Sequence, residues 1–366
     1  MGDFFKQELQ QRLSTLSTQQ HYFVYDLSKS AETCTSMLPS GMKEPGQSIQ
    51  LIHRLILVTT AAKHDDGGEE QRLVSGLEVY EYLTNESTHL PSRTIYISKI
   101  DTTGTTMGRG VTRRLVQAYV ASQKHHLQQP SDTCRIHVFA RAQPQYLFPH
   151  SAKDGSKRVL DDRQLVGWWH ATLGSGDLYD KVKPYWIVPG VDEQEARLDT
   201  GVHQRGLWHY GSPYPASALA TDVIPRFEDD GKARYLSSSS SDSITVEDFW
   251  TLFGYSEECG AGKLTAVFIV DSHRTTGPGD VPHLPPSLED DQYTRLWNYL
   301  MDLDFCDDQA NLKSTTKLLR KWKPVLASRC FKTTTVGNNK RTVDQALATE
   351  TPIVNVLVPK RRKKAD

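Results

Sequence analysis

The chain has 366 residues, with 43 Lys plus Arg against 44 Asp plus Glu, a formal net charge of −1. Hydrophobic residues make up 37% and charged residues 24%, which excludes a disordered chain and predicts a globular protein with one large core or two domains. The near-neutral balance argues against a generic nucleic-acid binder, although neutrality of the whole leaves room for local charged faces.

In chain order, Phe4, Phe5, Leu9, Leu13 and Leu16 predict an amphipathic helix at the start. Strand-like runs follow: HYFVYDL from His21, LIHRLILVTT from Leu51, LEVYEYLT from Leu77 and TIYISKI from Thr94. KHDDGGEEQR, from Lys63, reads as a charged hairpin loop between the second and third of these, within a flexible stretch near 60–72. After Asp101 the loop TTGTTMGRG leads into a helix from Val111 to about His125. A further flexible loop near 126–133 precedes the buried strand CRIHVFARA from Cys134. A helix from Asp161 runs through Trp168 and Trp169. Later helices are TVEDFWTLFGY from Thr245, YTRLWNYLMDL from Tyr293 and NLKSTTKLLRKW from Asn311. KLTAVFIVDS from Lys263 and PIVNVLVPK from Pro352 read as strands. SSSSSDS, near 236–243, and the proline-rich stretch near 273–290 read as flexible connectors. Strands and helices do not alternate regularly. The expected class is α+β, with a central mixed, largely antiparallel sheet flanked by helices.

Five scattered cysteines, Cys34, Cys134, Cys259, Cys306 and Cys330, form no CxxC pair, so neither a disulfide framework nor a zinc site is expected, and a reducing compartment fits. The N-terminal stretch has no apolar signal region, and no apolar run approaches the roughly 20 residues of a membrane span. The reading is a soluble, intracellular protein. The basic cluster KRRKK, Lys360 to Lys364, suits nuclear import. GxSxG, Walker A and kinase signatures are absent.

Four segments carry chemistry. In the strand–loop–helix from Ile95 to Arg113, free N–H groups at a helix start favour anions, and Arg109 and Arg113, four apart on one helix face, suit a pyrophosphate clamp. Gly108-Arg109-Gly110 loosely resembles the phosphate loop of GNAT acetyltransferases, with Thr105 at the usual first Gln or Arg; an ordinary loop explains it equally. RAQPQYLFPHSAKDGSKRVL, from Arg141, offers an apolar wall and the basic pair Lys157-Arg158, although a surface loop with core aromatics is the plainer reading. Trp168 and Trp169 lie about 100° apart on a helix, so one faces core and the other is available to line a cleft; plain packing of both explains the pair equally. RFEDDGKARYL, from Arg226, reads as a charged turn whose carboxylates suit proton acceptance from a lysine; a solvated turn is the plainer alternative.

YISKIDTTG, FARAQPQYLFPHSAKDGSKRVL, the Trp168-Trp169 pair, VPGVD from Val188, GLWHYG from Gly206, FEDDGKARY and the basic VPKRRKK end occur in the order found in one family. The chain resembles the fungal regulator of Ty1 transposition 109 family, which acetylates lysine fifty-six of histone H3. The resemblance implies a single acetyltransferase domain over residues 1–359 with a basic tail at 360–366. The implied fold is like that of the metazoan CREB-binding-protein acetyltransferases. It also implies acetyl-CoA as cosubstrate with no metal, a nuclear location and a role in replication-coupled nucleosome assembly. The implied partners are histone H3 in H3–H4, a NAP-type chaperone (vacuolar protein sorting 75) and the anti-silencing-function chaperone, with no membrane or sequence-specific nucleic acid. By position, Ile100, Asp101 and Thr102 would line the cosubstrate site. Arg109, Gly110, Val111, Thr112 and Arg113 would hold its phosphates and pantetheine. Phe139, Gln143, Arg158, Val159, Leu160 and Trp168 would complete it. Asp230, beside Asp229, matches the proton acceptor, Tyr146 and Trp169 match substrate-tunnel aromatics, and Lys232 matches an autoacetylated lysine. The sequence departs from the family where a short polar loop before Cys134 replaces a long insertion, where Gln143 replaces a smaller residue, and where Gly231 replaces a proline. Two rival functions stand beside this one. A GNAT-type acetyltransferase on another substrate rests on the GxG step. A noncatalytic histone-chaperone cofactor rests on the acidic segments EDDQY and DLDFCDDQ between Glu289 and Gln309.

Overall fold

The computed structural model describes residues 4–334 except 17–19, 35, 39–47, 64–68, 85–89, 128, 130–131, 176–177, 179–183, 203–206, 229, 238–242, 261–262 and 274–286. The strand expected from Pro352, the basic cluster at Lys360 and the serine run from 238 lie outside the described residues.

Among the described residues, ten strands form one sheet: β1 (His21–Ser28), β2 (Glu32–Cys34), β3 (Ile49–Lys63), β4 (Glu69–Thr84), β5 (Arg93–Thr102), β6 (Thr133–Arg141), β7 (Pro184–Ile187), β8 (His209–Tyr210), β9 (Thr265–His273) and β10 (Cys330–Thr334). The order is β10-β1-β3-β4-β5-β6-β9-β7-β8, with β2 also on β3. Every pairing is antiparallel except β5–β6 and β7–β8. β3 and β4 are longer than expected. They extend to Lys63 and from Glu69, so much of the flexible stretch expected near 60–72 is strand.

Among the described residues, ten α-helices complete the fold: α1 (Phe4–Leu13), α2 (Val111–Ser122), α3 (Asp162–Leu173), α4 (Glu193–Thr200), α5 (Ala220–Val223), α6 (Gly231–Leu236), α7 (Val246–Phe253), α8 (Asp290–Met301), α9 (Asp308–Lys321) and α10 (Lys323–Ala327). Strand alternation divides the core. On β3, Ile56 and Val58 join the cluster under α1, α2 and α3, while Leu55 and Leu57 join the cluster under α8 and α9. On β9, Ala266, Phe268 and Val270 face the first layer, and Val267 and Ile269 face α7. Both sheet faces are therefore covered. That is why the central strands read as near-continuous apolar runs.

A polar cluster is enclosed beneath α1 and α2. Arg54 donates to both oxygens of Asp26 at 2.7 and 2.5 Å and to Glu81 at 3.2 Å. Tyr119 Oη donates to Glu81 at 2.6 Å, and Arg93 pairs with the same carboxylate. Burial alone would raise the Glu81 pKa; the Arg93 and Arg54 guanidiniums bring it down to about 2. His126, beside this cluster, is held neutral by burial and by Arg93, its pKa falling to about 3.

The β5–β6 pair positions the site. Parallel neighbours need a crossover, and α2 supplies it. The crossover leaves the start of α2 beside the carboxyl end of β5, the location where open sheets of this kind admit ligands.

Candidate active site

A cavity of about 640 Å³ opens at this strand end. Ile100, Asp101 and Thr102 come from the end of β5, and Gly104, Thr105, Arg109, Gly110, Thr112 and Arg113 from the loop and first turn of α2. Gln143 and Tyr146 come from the loop after β6, Arg158, Val159 and Leu160 from the segment before α3, and Leu165 and Trp168 from α3 itself. Gly110 caps α2 at φ 80° with no side-chain hydrogen bond, so the first-turn N–H groups are not satisfied by a cap. Asp161 caps α3 through a reciprocal capping box with Gln164, which fixes the turn presenting Leu160 and Leu165.

Four arginines line this cavity without a carboxylate partner among the described residues: Arg109, Arg113, Arg158 and Arg114, whose Nε donates to Thr15 Oγ1 at 3.3 Å. Burial, with Arg114 adjacent, pulls the pKa of Arg113 down, and its guanidinium lies over the Trp168 ring at 6.0 Å. Arg109 and Arg113 do not share a helix face, as the spacing alone suggests. Arg109 follows the 3-10 turn Thr106–Gly108 with ψ at 125°, two residues before α2 begins. The loop nevertheless brings both to one cavity.

Asp101 departs from a simple lining role. Its Oδ2 accepts from the backbone N–H groups of Tyr146, Leu147 and Phe148 at 2.7, 2.9 and 3.3 Å, and Oδ1 accepts from Thr102 N–H at 2.8 Å. Lys157 Nζ pairs with Oδ1 at 2.7 Å and donates to Ser151 Oγ at 2.8 Å. Lys157 is therefore a buried strut rather than a free phosphate ligand. Gly104, at φ +95°, lies against it; a Cβ there would come within 2.5 Å of Lys157 Cβ. Tyr146 Oη donates to Arg141 O at 2.5 Å and accepts from Gln143 N–H at 2.9 Å. Burial raises the Tyr146 hydroxyl to about 12, so it holds the loop as a neutral phenol.

Several expected residues lie elsewhere. Val111 is fully buried in the core under α2. Trp169 is 3% exposed in the same core, edge-on to Trp168 with centroids 5.0 Å apart; of this adjacent pair, only Trp168 lines the cavity. Phe139 points from β6 to the opposite sheet face, 6.0 Å from Phe253. Asp229 lies outside the described residues.

The expected charged turn at Arg226 is partly a helix. Asp230 caps α6, accepting from Lys232 N–H at 3.1 Å, and its other oxygen pairs with Lys232 Nζ. Both residues are 1% exposed. The Lys232 ammonium lies 5.8, 5.6 and 5.5 Å from the ring centroids of Tyr96, Phe139 and Phe227. His137 stands beside Phe227 at 5.1 Å; burial and the nearby Lys232 hold it neutral. A solvated turn is thereby excluded for Asp230 and Lys232. Tyr96, Phe227 and His137 carry no local signal that would single them out, because β5, the segment before α6 and β6, far apart in sequence, bring them here.

The cavity and this buried pair are joined by contacts. Tyr146 bonds Arg141, and Arg141 pairs with Glu258 at 2.5 Å. Glu258 also pairs with Arg234 of α6 and stands 2.8 Å from where a Gly231 Cβ would lie. Any Cβ at 231 would displace Glu258 or Phe139, which accounts for the glycine.

Comparison with known proteins agrees with this architecture. The model of the histone acetyltransferase KAT11-type domain matches residues 9–129 and 108–321. Histone acetyltransferase rtt109 of Aspergillus flavus is 27% identical over 295 residues, covering 65% of this chain and 51% of its own length. Histone acetyltransferase rtt109 of Schizosaccharomyces pombe is 28% identical over 266 residues, covering 67% of this chain and 66% of its own. The chain thus matches about half to two thirds of the length of these curated relatives. The crystal structure of Rtt109 from Aspergillus fumigatus superimposes with a TM-score of 0.71 at 22% identity, over 90% of this chain and 99% of that one, and shares its fold. With a family model spanning the greater part of its length, the chain belongs to the KAT11-type histone acetyltransferases, alongside the Rtt109 proteins.

Proposed function

We propose that this chain transfers acetyl from acetyl-CoA to a lysine of histone H3. The observation that carries the reading is an apolar cavity rimmed by arginines that meet no carboxylate among the described residues and by a helix N-terminus. Coenzyme A is a polyanion at one end and a slender, largely uncharged arm at the other. The residues present fit both parts. Arg109, Arg113 and Arg158 with the α2 first turn would hold the phosphates, and Ile100, Leu160, Leu165 and Trp168 would line the arm. Val111 and Trp169 lie in the core under α2 and α3 rather than in the cavity, and Phe139 lies on the opposite sheet face.

Bound acetyl-CoA supplies a thioester whose acyl carbon is the electrophile. The substrate lysine is an ammonium at neutral pH and attacks only after losing a proton. Asp230 is the carboxylate assigned to receive it, directly or through a water. The buried rings of Tyr96 and Phe227 and the partly buried ring of Phe139 exclude bulk solvent around it, which strengthens its hold on a cation. Lys232 occupies this carboxylate now. Acetylation of Lys232 would remove its charge and leave Asp230 for the substrate, so autoacetylation there switches the base from internal to external use.

Lysine fifty-six of H3, with N-terminal tail lysines as secondary targets, is the proposed acceptor. The reaction would be chaperone-dependent, with the NAP-type and anti-silencing-function proteins presenting H3–H4, and would serve nucleosome assembly and genome stability in the nucleus. The resemblance of the sequence motifs to the family motivates these points. Radiolabelled acetyl transfer to H3–H4, with and without added histone chaperone, tests them together with peptide mass spectrometry of Lys232. Wild-type protein should label H3, and Asp230→Asn should lose at least about tenfold in turnover while keeping its fold. Absence of transfer under every condition, or full activity in Asp230→Asn with an unmodified Lys232, would overturn the reading.

A further inference from the structure

The near-zero net charge hides a sharp segregation near the end of the described chain. From Glu289 to Asp308 there are seven acids and one cation, Arg295; from Gln309 to Thr334 there are seven cations and no acid. Five of those cations, Lys313, Lys317, Arg320, Lys321 and Lys323, are exposed on α9 and at the start of α10. Among the described residues none of the five meets a carboxylate; Lys321 instead lies over the Tyr299 ring at 3.7 Å.

Helix stability alone does not account for this pattern. Arg320 and Lys321, in the last turn, complement the helix dipole, but Lys313 and Lys317 lie in the middle turns. Lys313–Lys317 and Lys317–Lys321 are like-charge pairs at i,i+4, each costing a few tenths of a kcal/mol that an alternating Glu would have recovered. Spacings of four and seven residues place Lys313, Lys317 and Arg320 on one face. The opposite face is fully used. Asn311 donates to Leu73 O at 2.9 Å and to Thr103 Oγ1 at 3.1 Å, and Thr315 accepts from Leu73 N–H at 3.0 Å. The cationic face is therefore held rigidly toward solvent.

We propose that this face of α9 is a docking surface for an Asp/Glu-rich polypeptide segment. Successive cations four residues apart are separated by about 6 Å along the axis. An extended peptide places alternate side chains on one side at intervals of about 6.7 Å. The registers match over two or three carboxylates. A nucleic-acid duplex fits less well. It is a stiff rod, the segment just before α9 carries Asp302, Asp304 and Asp307, and four of the five cations are lysines rather than the arginines that grip phosphate in pairs. Because α9 also braces Thr103 and, through Asp308, Thr105, an occupant of its outer face would act on the helix that buttresses the cavity loop.

The test uses a fluorescein-labelled poly-glutamate peptide and a single-stranded oligonucleotide of equal charge, titrated by anisotropy at several ionic strengths. The variant is Lys313→Glu/Lys317→Glu/Arg320→Glu. Its control, Lys153→Glu/Lys263→Glu/Lys332→Glu, makes the same change in net charge at exposed positions elsewhere. A triple Gln variant at 313, 317 and 320 guards against a folding defect, checked by thermal melting. The peptide should bind wild type and the control alike, and lose about tenfold or more in the α9 variants, with affinity falling as salt rises. Equal losses in variant and control, no peptide binding by wild type at low salt, or tighter binding of the oligonucleotide than of the peptide would each overturn the proposal. None of these outcomes depends on acetyl transfer.

Discussion

Replacing Asp101 with Asn tests the reasoning about the cavity wall most directly. The carboxylate is 5% exposed and serves five donors: three N–H groups of the 146–148 segment on one oxygen, Thr102 N–H and Lys157 on the other. An Asn keeps one acceptor oxygen and turns an NH2 group to the other set. Either the three backbone donors or the buried ammonium then lose their acceptor. Stranding one member of a buried ion pair costs about 3–5 kcal/mol, and the hydrogen-bond losses overlap with that figure rather than adding to it. Lys157→Met leaves the carboxylate with four backbone N–H donors and should cost only about 1–3 kcal/mol. The expected order is thus Asp101→Asn more damaging than Lys157→Met. Urea unfolding followed by tryptophan fluorescence measures it, and coenzyme A titration by calorimetry should show weaker binding in Asp101→Asn as the 143–146 wall loosens. An Asp101→Asn protein within about 1 kcal/mol of wild type, or the reverse order of the two variants, would refute the account.

Arg109→Ala and Arg113→Ala should each weaken acetyl-CoA binding by about 1.5–3 kcal/mol, read by calorimetry, because each removes from the cavity a cation that meets no carboxylate among the described residues. The tryptophans should separate by role: Trp168→Ala raises the KM for acetyl-CoA, whereas Trp169→Phe, in the core, costs about 1–2 kcal/mol of stability with KM unchanged. Stability should fall on acidification because His126 is buried neutral. Its folded pKa of about 3 lies below the ordinary 6.5, so its contribution is complete above pH 6.5 and is lost progressively as pH falls toward 3. At pH 5 the loss is about 2 kcal/mol, and His126→Gln should flatten the melting-temperature profile between pH 7 and 5.

The amino-acid order by itself determined the long elements. β1, β3 to β6, β9, α1 to α3 and α7 to α9 follow from apolar period, capping residues and turn chemistry, all of which act within a few residues. It also determined the family signature and the loop–helix start that holds Arg109 and Arg113. The tertiary structure decided the rest. β2, β7, β8 and β10 have two to five residues each and exist because a neighbouring strand offers hydrogen bonds, so their local signal is weak. Lys157 reads as a surface cation until the chain returns it to Asp101, 56 residues away. Asp230 and Lys232 sit in a run whose composition is that of a solvated turn. Tyr96, Phe139 and Phe227 bury them, and those rings meet only once β5, β6 and the segment before α6 are assembled. Periodicity reports which way a side chain leaves its own element; which partners it finds there depends on contacts between segments far apart in sequence, and those arise from packing both faces of the sheet at once.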